Sequence, residues 1–354
     1  MYKQLQNMRS PRKRQGSIPQ RGRAKKTLIS LDNTDEGSDG DISGDTSSSS
    51  ANTILLESND DISEDNSSAA AGSLPRTVTA PPAAPAENVV AGQESRKMQA
   101  RHYKTLRNMY KNPNAKPIQR DVAQLLDLEF EARRAFVVGD VTKEEDRPTK
   151  VFEAYPCFKD FRNAMDELRR IIDGTNCKCI EEMKGRWADF CAQVQFYGVW
   201  KKALKPPFPL DVRGVDFTIA LFNALPSLFP SPSPPPKFLG NASDALLHIL
   251  KPGEDPVLYL EKRRLSSPVL LFDGTVCIVA VGNMPVSTLP QENFWEGMLV
   301  LMAYYYTLHL TYPKCVPTLL SVIQTEVVGD AIHDQDATST YKKAIAEWKS
   351  FIEK

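Results

Sequence analysis

Any chemistry in this sequence would be built from six cysteines, four histidines and a few clustered carboxylates. Cys177-Lys178-Cys179 with Cys191 invites a zinc reading. Structural zinc takes four ligands at paired spacings. Here the spacing is unpaired and no histidine lies near in sequence, so the expectation is cysteines that start a helix and fill a core. Glu326, Asp330, His333, Asp334 and Asp336 form an oxygen-rich run able to hold a cation. The run lacks the twelve-residue calcium-loop pattern, and a solvated loop between helices is expected instead. His309 lies in the apolar run "MLVLMAYYYTLHL" (298–310) and reads as a core histidine. Cys157 with His102 or His309 would supply a nucleophile and its base, but nothing in the sequence orients such a pair.

No phosphate-binding glycine loop, dinucleotide fingerprint or nucleophile elbow is present. The expectation is a protein that is not an enzyme and uses no cofactor and no metal. Its function would then lie in recognition, by other proteins first and by nucleic acid as the alternative; a further alternative is an enzyme with no recognisable motif, which would need a deep pocket with convergent polar groups near Asp273, His309 or His333.

Four features suit recognition. The segment "PRKRQGSIPQRGRAKK" (11–26) holds Arg12, Lys13 and Arg14, then Arg21, Arg23, Lys25 and Lys26. These are point charges on a flexible chain, suited to the acidic groove of a nuclear import receptor or to phosphates. Phosphorylation of Ser17 would add negative charge and weaken either contact. Leu28, Ile29 and Leu31, and then Ile54, Leu55 and Leu56, are two short aliphatic runs followed by acids. That is the form of segments that add a strand to a small ubiquitin-like modifier. Two copies on one tail would act by avidity. Ser38, Ser43, Ser58 and Ser63 precede acids and are candidates for acid-directed kinases. Pro232, Pro235 and Lys237 fit P-x-x-P-x-K, a polyproline ligand with a basic anchor, or else a rigid loop between helices. Residues 96–120 carry eight Lys or Arg and no acid. Arg101, Lys104, Arg107 and Lys111 recur there at helical spacing beside Leu106 and Met109, an amphipathic basic helix.

These features sit on two kinds of chain. Residues 1–94 hold one aromatic residue, Tyr2, and cannot bury enough apolar surface to offset the entropy of ordering. The formal net charge is zero, yet residues 1–26 carry nine Lys or Arg and no acid, and residues 27–74 carry eleven Asp or Glu and no base. Such blocks act as interaction tails. An Ala/Pro-rich spacer follows (76–92). All tryptophans and cysteines lie beyond residue 150.

Past the tail, apolar periodicity predicts helices over 94–112, 118–138 with Gly139 as cap, 156–173 and 176–204. "LKPPFP" (204–209) marks a boundary. Further helices are predicted over 216–229 with Asp216 as N-cap, 243–250, 291–310, 314–328 and 337–353. Leu270 to Phe272 and Val276 to Val281 are apolar runs split by Asp273-Gly274, a hairpin signal. They do not alternate, so both faces should be covered. The fold class is therefore α+β, mostly helical, with a short buried β-hairpin or small sheet covered by C-terminal helices and a long disordered N-terminal tail. The expected regions are the tail 1–94, an α-helical region 95–205 and an α+β domain 210–354.

The runs "RDVAQLLDLEFEARRAF", "YPCF", "GEDPVLYLEKRRLSSPVLL", "TLHLTYPKCVPTLLSVIQTEVVGDAIHDQD" and "YKKAIAEWKSFI" resemble the C-terminal region of a multicopy group of fish proteins. These carry the label sterile-alpha-motif-domain-containing-protein-3-like. The resemblance spans about residues 100–354 and implies that this region is a folded unit. It implies no activity, cofactor or catalytic residue, and the sterile alpha motif itself is absent here. No apolar run follows the basic amino terminus, and the cysteines have no framework spacing. A nuclear or cytoplasmic protein with reduced thiols is expected, not a secreted one, and the sequon at Asn241 is then idle.

Overall fold

The computed structural model describes residues 87–112, 116–139, 143–204 and 213–354. The basic segment, the modifier-binding runs and the serines of the tail all lie outside the described residues.

Helix α1 spans Glu87–Met109, so it starts upstream of the expected 94. The single helix expected over 118–138 is two helices, α2 (Gln119–Leu128) and α3 (Phe130–Val138), broken at Glu129. The break has a cause. The Leu126 carbonyl, which would accept from the N–H of residue 130 in an unbroken helix, accepts from Arg133 Nη2 at 2.9 Å. A side chain has entered the backbone ladder. Gly139 caps α3 with its N–H on the Ala135 carbonyl. Then come α4 (Arg147–Ala154), a 3₁₀ turn (Pro156–Lys159), α5 (Phe161–Asp173) and α6 (Cys179–Trp200). Asp160 caps α5, its side chain accepting from the Arg162 N–H at 2.9 Å.

Helix α7 covers Val215–Leu228. Gly214 takes the cap position expected for Asp216, which lies inside the first turn, where its charge suits the positive end of the helix. The helix expected over 243–250 is a 3₁₀ turn (Ala242–Ala245) followed by strand β1 (Leu247–Ile249). Sheet pairing overrides local propensity there. The Leu270 N–H donates to the Leu246 carbonyl at 2.9 Å, and the Leu250 N–H to the Phe272 carbonyl at 2.8 Å.

Helix α8 (Pro256–Arg263) connects β1 to β2 (Pro268–Phe272), which pairs parallel to it. Strands β3 (Cys277–Val281) and β4 (Met284–Leu289) follow antiparallel, giving the order β1-β2-β3-β4. The expected hairpin is β2–β3. Its turn is held by Asp273, whose carboxylate accepts from the Thr275 and Val276 N–H groups at 2.8 and 2.7 Å. Those bonds hold its carboxyl below the usual carboxylate range. Gly274 takes the positive φ of 101° that this turn needs.

The sheet is covered on both faces. Leu270, Phe272, Val279 and Val281 belong to the main core, while Val269, Leu271 and Ala280 pack with Leu260 of α8. After a 3₁₀ turn (Gln291–Glu296), α9 (Gly297–Thr307) is buried at all eleven positions. Gly297 permits its approach to the sheet, since a Cβ there would sit 2.4 Å from Leu270 Cδ1. Helix α10 (Pro317–Ile323), a π turn (Gln324–Val328) and α11 (Ser339–Ile352) close the chain.

One core joins the two regions expected on either side of residue 205. Helix α9 lies against α5, with Tyr304 donating to the Phe158 carbonyl at 3.1 Å and Thr307 to the Ala164 carbonyl at 3.3 Å. Trp187 of α6 donates to the Trp295 carbonyl at 2.7 Å. No described helix is long and apolar enough to cross a membrane.

Leu270 is fully buried and Leu258 of α8 is 53% exposed. Urea unfolding of Leu270→Ala should show a loss of about 2–5 kcal/mol from the missing side chain and the cavity it leaves. Leu258→Ala should leave the midpoint unchanged within about 0.5 kcal/mol.

Candidate functional site

The helix break at Glu129 builds a site. Val122, Leu126, Glu129, Arg133 and Val137 share one helical stripe and all are buried. Two of the five are charged, so the stripe must find ionic partners inside the protein. Helix α5 supplies them. Arg133 grips Glu167 with two bonds, Nε to Oε1 at 3.0 Å and Nη2 to Oε2 at 2.7 Å. The network continues outward. Arg170 reaches Asp127 at 2.6 Å and Asp166 at 2.5 Å, and Arg169 reaches Asp166 at 2.7 Å.

Glu129 holds the other end. Tyr155, at the end of α4, donates its hydroxyl to Oε1 at 2.7 Å. Oε2 stands 3.6 Å from Arg133 Nη1, too long for a hydrogen bond, and has no hydrogen-bond donor among the described residues. Burial pushes the Glu129 carboxyl up, against the lowering effects of Tyr155 and Arg133. Burial also disfavours the charge on Arg133, but the bonded Glu167 more than compensates and holds it charged. The Tyr155 phenol is raised by burial first and by Glu129 second.

Above Glu129 lies a cleft of about 390 Å³ between α1, the α2–α3 break and the end of α4. Tyr103, Phe136 and Tyr155 line it with Glu129, and Arg96 stands in its lining from α1. The Tyr103 and Tyr155 rings are 5.4 Å apart at 63°, and Phe136 and Tyr155 6.0 Å apart at 56°. A raised carboxyl in a cleft is a mark of acid–base chemistry as well as of binding. Cys157 is fully buried, and burial pushes its thiol up to about 12, so it is no thiolate at neutral pH. Its charged neighbours are Arg133, Glu167 and Glu129.

The groups singled out in the sequence do not converge. Cys179 and Cys191 are buried on α6, twelve residues and so about 18 Å apart along the helix, and Cys177 is exposed before it. Among the described residues no group of three His, Cys, Asp or Glu side chains is placed to hold a metal. In the acidic run, Glu326 reaches Lys349 at 4.0 Å and Asp330 accepts from Tyr306 at 2.5 Å. His333 and Asp334 are exposed and Asp336 is half-buried. His309 is buried just past α9 at a φ of 51°, its carbonyl accepting from Arg147 at 2.5 Å. His102 is half-buried on α1.

Pro232 and Lys237 are exposed and Pro235 is half-buried. The same loop turns Ser233, Pro234 and Pro236 into a second cavity of about 360 Å³ beside Tyr312 and Cys315. All eight cations of 96–120 are exposed, and none pairs with a carboxylate among the described residues. Leu106 is buried, and Met109 packs against the core.

Sequence reasoning missed Glu129, Arg133, Tyr155 and Glu167. The available signal was the stripe itself, because charges recurring in register with Val122, Leu126 and Val137 cannot face water. No family model matches the chain, and no curated protein or solved structure is detectably similar to it.

Glu167→Leu would strand Arg133 in the core and should cost about 3–5 kcal/mol in urea unfolding at neutral pH. The pair Arg133→Met with Glu167→Leu should recover only part of that loss, since it removes both charges of the bridge but takes from the buried Glu129 its cation at 3.6 Å.

Proposed function

We propose that this chain is a non-enzymatic interaction protein that holds a segment of another protein in the cleft beside α1. The observation that carries this reading is the cleft's make-up: three aromatic rings and a buried carboxylate line it. Aromatic side chains give large contact area at little entropic cost and concentrate at binding surfaces. Phe136 is 43% exposed, an apolar ring left open at the cleft. The test uses full-length chain and its Phe136→Arg variant, exposed in parallel to nuclease-treated extract. Protein partners held by the first and released by the second are expected. Partners that bind both alike would sink the reading.

The unpaired cations of 96–120 favour a second reading, contact with nucleic acid. A row of exposed Lys and Arg with no acid between them binds phosphates through released counterions. Full-length chain should then bind duplex DNA with an affinity that falls steeply between 50 and 200 mM salt. The triple change Arg101→Glu, Lys104→Glu, Arg107→Glu should flatten that slope. A salt-independent affinity, or a slope that the triple variant keeps, removes this reading.

A further inference from the structure

Five of the seven residues 230–236 are proline, and the other two, Ser231 and Ser233, each precede one. Proline fixes φ and donates no backbone N–H, so such a loop is extended and weakly tied. Among the described residues the one hydrogen bond of 230–235 runs from the Thr318 N–H to Ser231 Oγ, at 3.2 Å. Pro232 and Pro234 are exposed. Ser233 is half-buried, and its hydroxyl has no hydrogen-bond partner among the described residues. A serine followed by proline in a loosely held loop has the form that proline-directed protein kinases accept.

Ser233 also lines the cavity of about 360 Å³ described above. That lining holds one charged side chain, Lys314, and no carboxylate. Lys314 is exposed and pairs with no acid among the described residues. Ser266, half-buried in the same wall, also makes no hydrogen bond among them. The other hydroxyls are engaged: Ser267 accepts from Arg263, and Tyr312 donates to Gln324. Thr311 is engaged as well, its N–H and hydroxyl both donating to Glu144 at 2.6 Å, which spends that carboxylate. An unpaired cation and a free hydroxyl therefore stand in one cavity with Ser233.

We propose that Ser233 is phosphorylated by a proline-directed kinase, and that Lys314 and Ser266 hold the phosphate in the cavity. The Ser233 oxygen forms a bond to the γ-phosphorus of ATP. The bond from that phosphorus to the β–γ bridging oxygen breaks, ADP leaves, and the hydroxyl proton passes to the kinase's carboxylate base. The product carries nearly two negative charges and three acceptor oxygens. Lys314 supplies the opposite charge and Ser266 an O–H donor. The phosphate thereby ties the proline loop to the segment between α9 and α10. Ser231 is the poorer target, because its oxygen already serves Thr318. Ser267 also precedes a proline but is 5% exposed, out of a kinase's reach.

Four serines precede a proline, at 10, 231, 233 and 267. The experiment incubates full-length chain carrying Ser10→Ala and Ser231→Ala with a mitogen-activated protein kinase and ATP·Mg. Mass spectrometry should map phosphate to Ser233 and none to Ser267. Phosphorus NMR then follows the second ionisation of that phosphate, which lies near pH ~6 in a free phosphoserine. Lys314 favours the dianion, so the ionisation should fall by about half a unit or more. Lys314→Gln, at an exposed side chain where folding is not at stake, should return it to about 6. A chain left unmodified at Ser233 overturns the proposal. Phosphate on Ser267 would show that the kinase acts on unfolded chain, and counts equally against it. An ionisation that Lys314→Gln does not move places the phosphate in solvent, and the proposed contact falls.

Discussion

The buried guanidinium of Arg133 is the constraint on which the surrounding structure depends. A charge at zero exposure needs ionic and hydrogen-bond partners inside the protein to offset its lost hydration. Its two bonds to Glu167 fasten α3 to α5. Its bond to the Leu126 carbonyl lies at the break between α2 and α3. That break sets Glu129 at the junction, within reach of Tyr155. The cleft is thus a by-product of satisfying one arginine. The next residue extends the effect, since Arg134 donates to the Thr307 carbonyl at 3.0 Å and ties α3 to the end of the buried helix α9.

A second buried guanidinium shows another solution to the same problem. Arg263 ends α8 at 1% exposure and meets carbonyls and a hydroxyl. Its donors go to the carbonyls of Ser267, at 2.8 Å, and Ala245, at 3.1 Å, and to the Ser267 hydroxyl at 2.9 Å. Burial pulls its pKa down, whereas Glu167 raises that of Arg133. The two sites have different consequences. Arg263 staples the chain before β2 to the turn before β1, a purely architectural task. Arg133 stands between two buried carboxylates, Glu167 and Glu129, and Glu129 lines a cleft.

Much of the architecture was legible. The apolar runs around Asp273-Gly274 announced a strand pair covered on both faces, and the helices of the second half lie close to where periodicity placed them. The failures have one physical origin. The segment 243–250 looked helical because its pattern and cap are local, while β1 exists through bonds to Leu270 and Phe272, more than twenty residues away. The stretch 118–138 looked continuous because periodicity reports which side is apolar and says nothing of a carbonyl captured by a side chain. The boundary at residue 205 separated two compositions, yet α5 and α9 share one core across it.

The candidate site was less legible than the fold. Its members lie at 96, 103, 129, 136, 155 and 167, and no spacing among them signals a site. By itself the sequence determined the class of the fold, the burial of the hairpin and the row of eight cations over residues 96–120, because these follow from residue type and local period. Tertiary structure alone decided that Arg133 would meet Glu167, that α2 would break, and that three rings and the buried Glu129 would line one cleft. Those outcomes depend on which distant groups satisfy a buried charge, and a burial cost of that kind is settled only when the whole core is assembled.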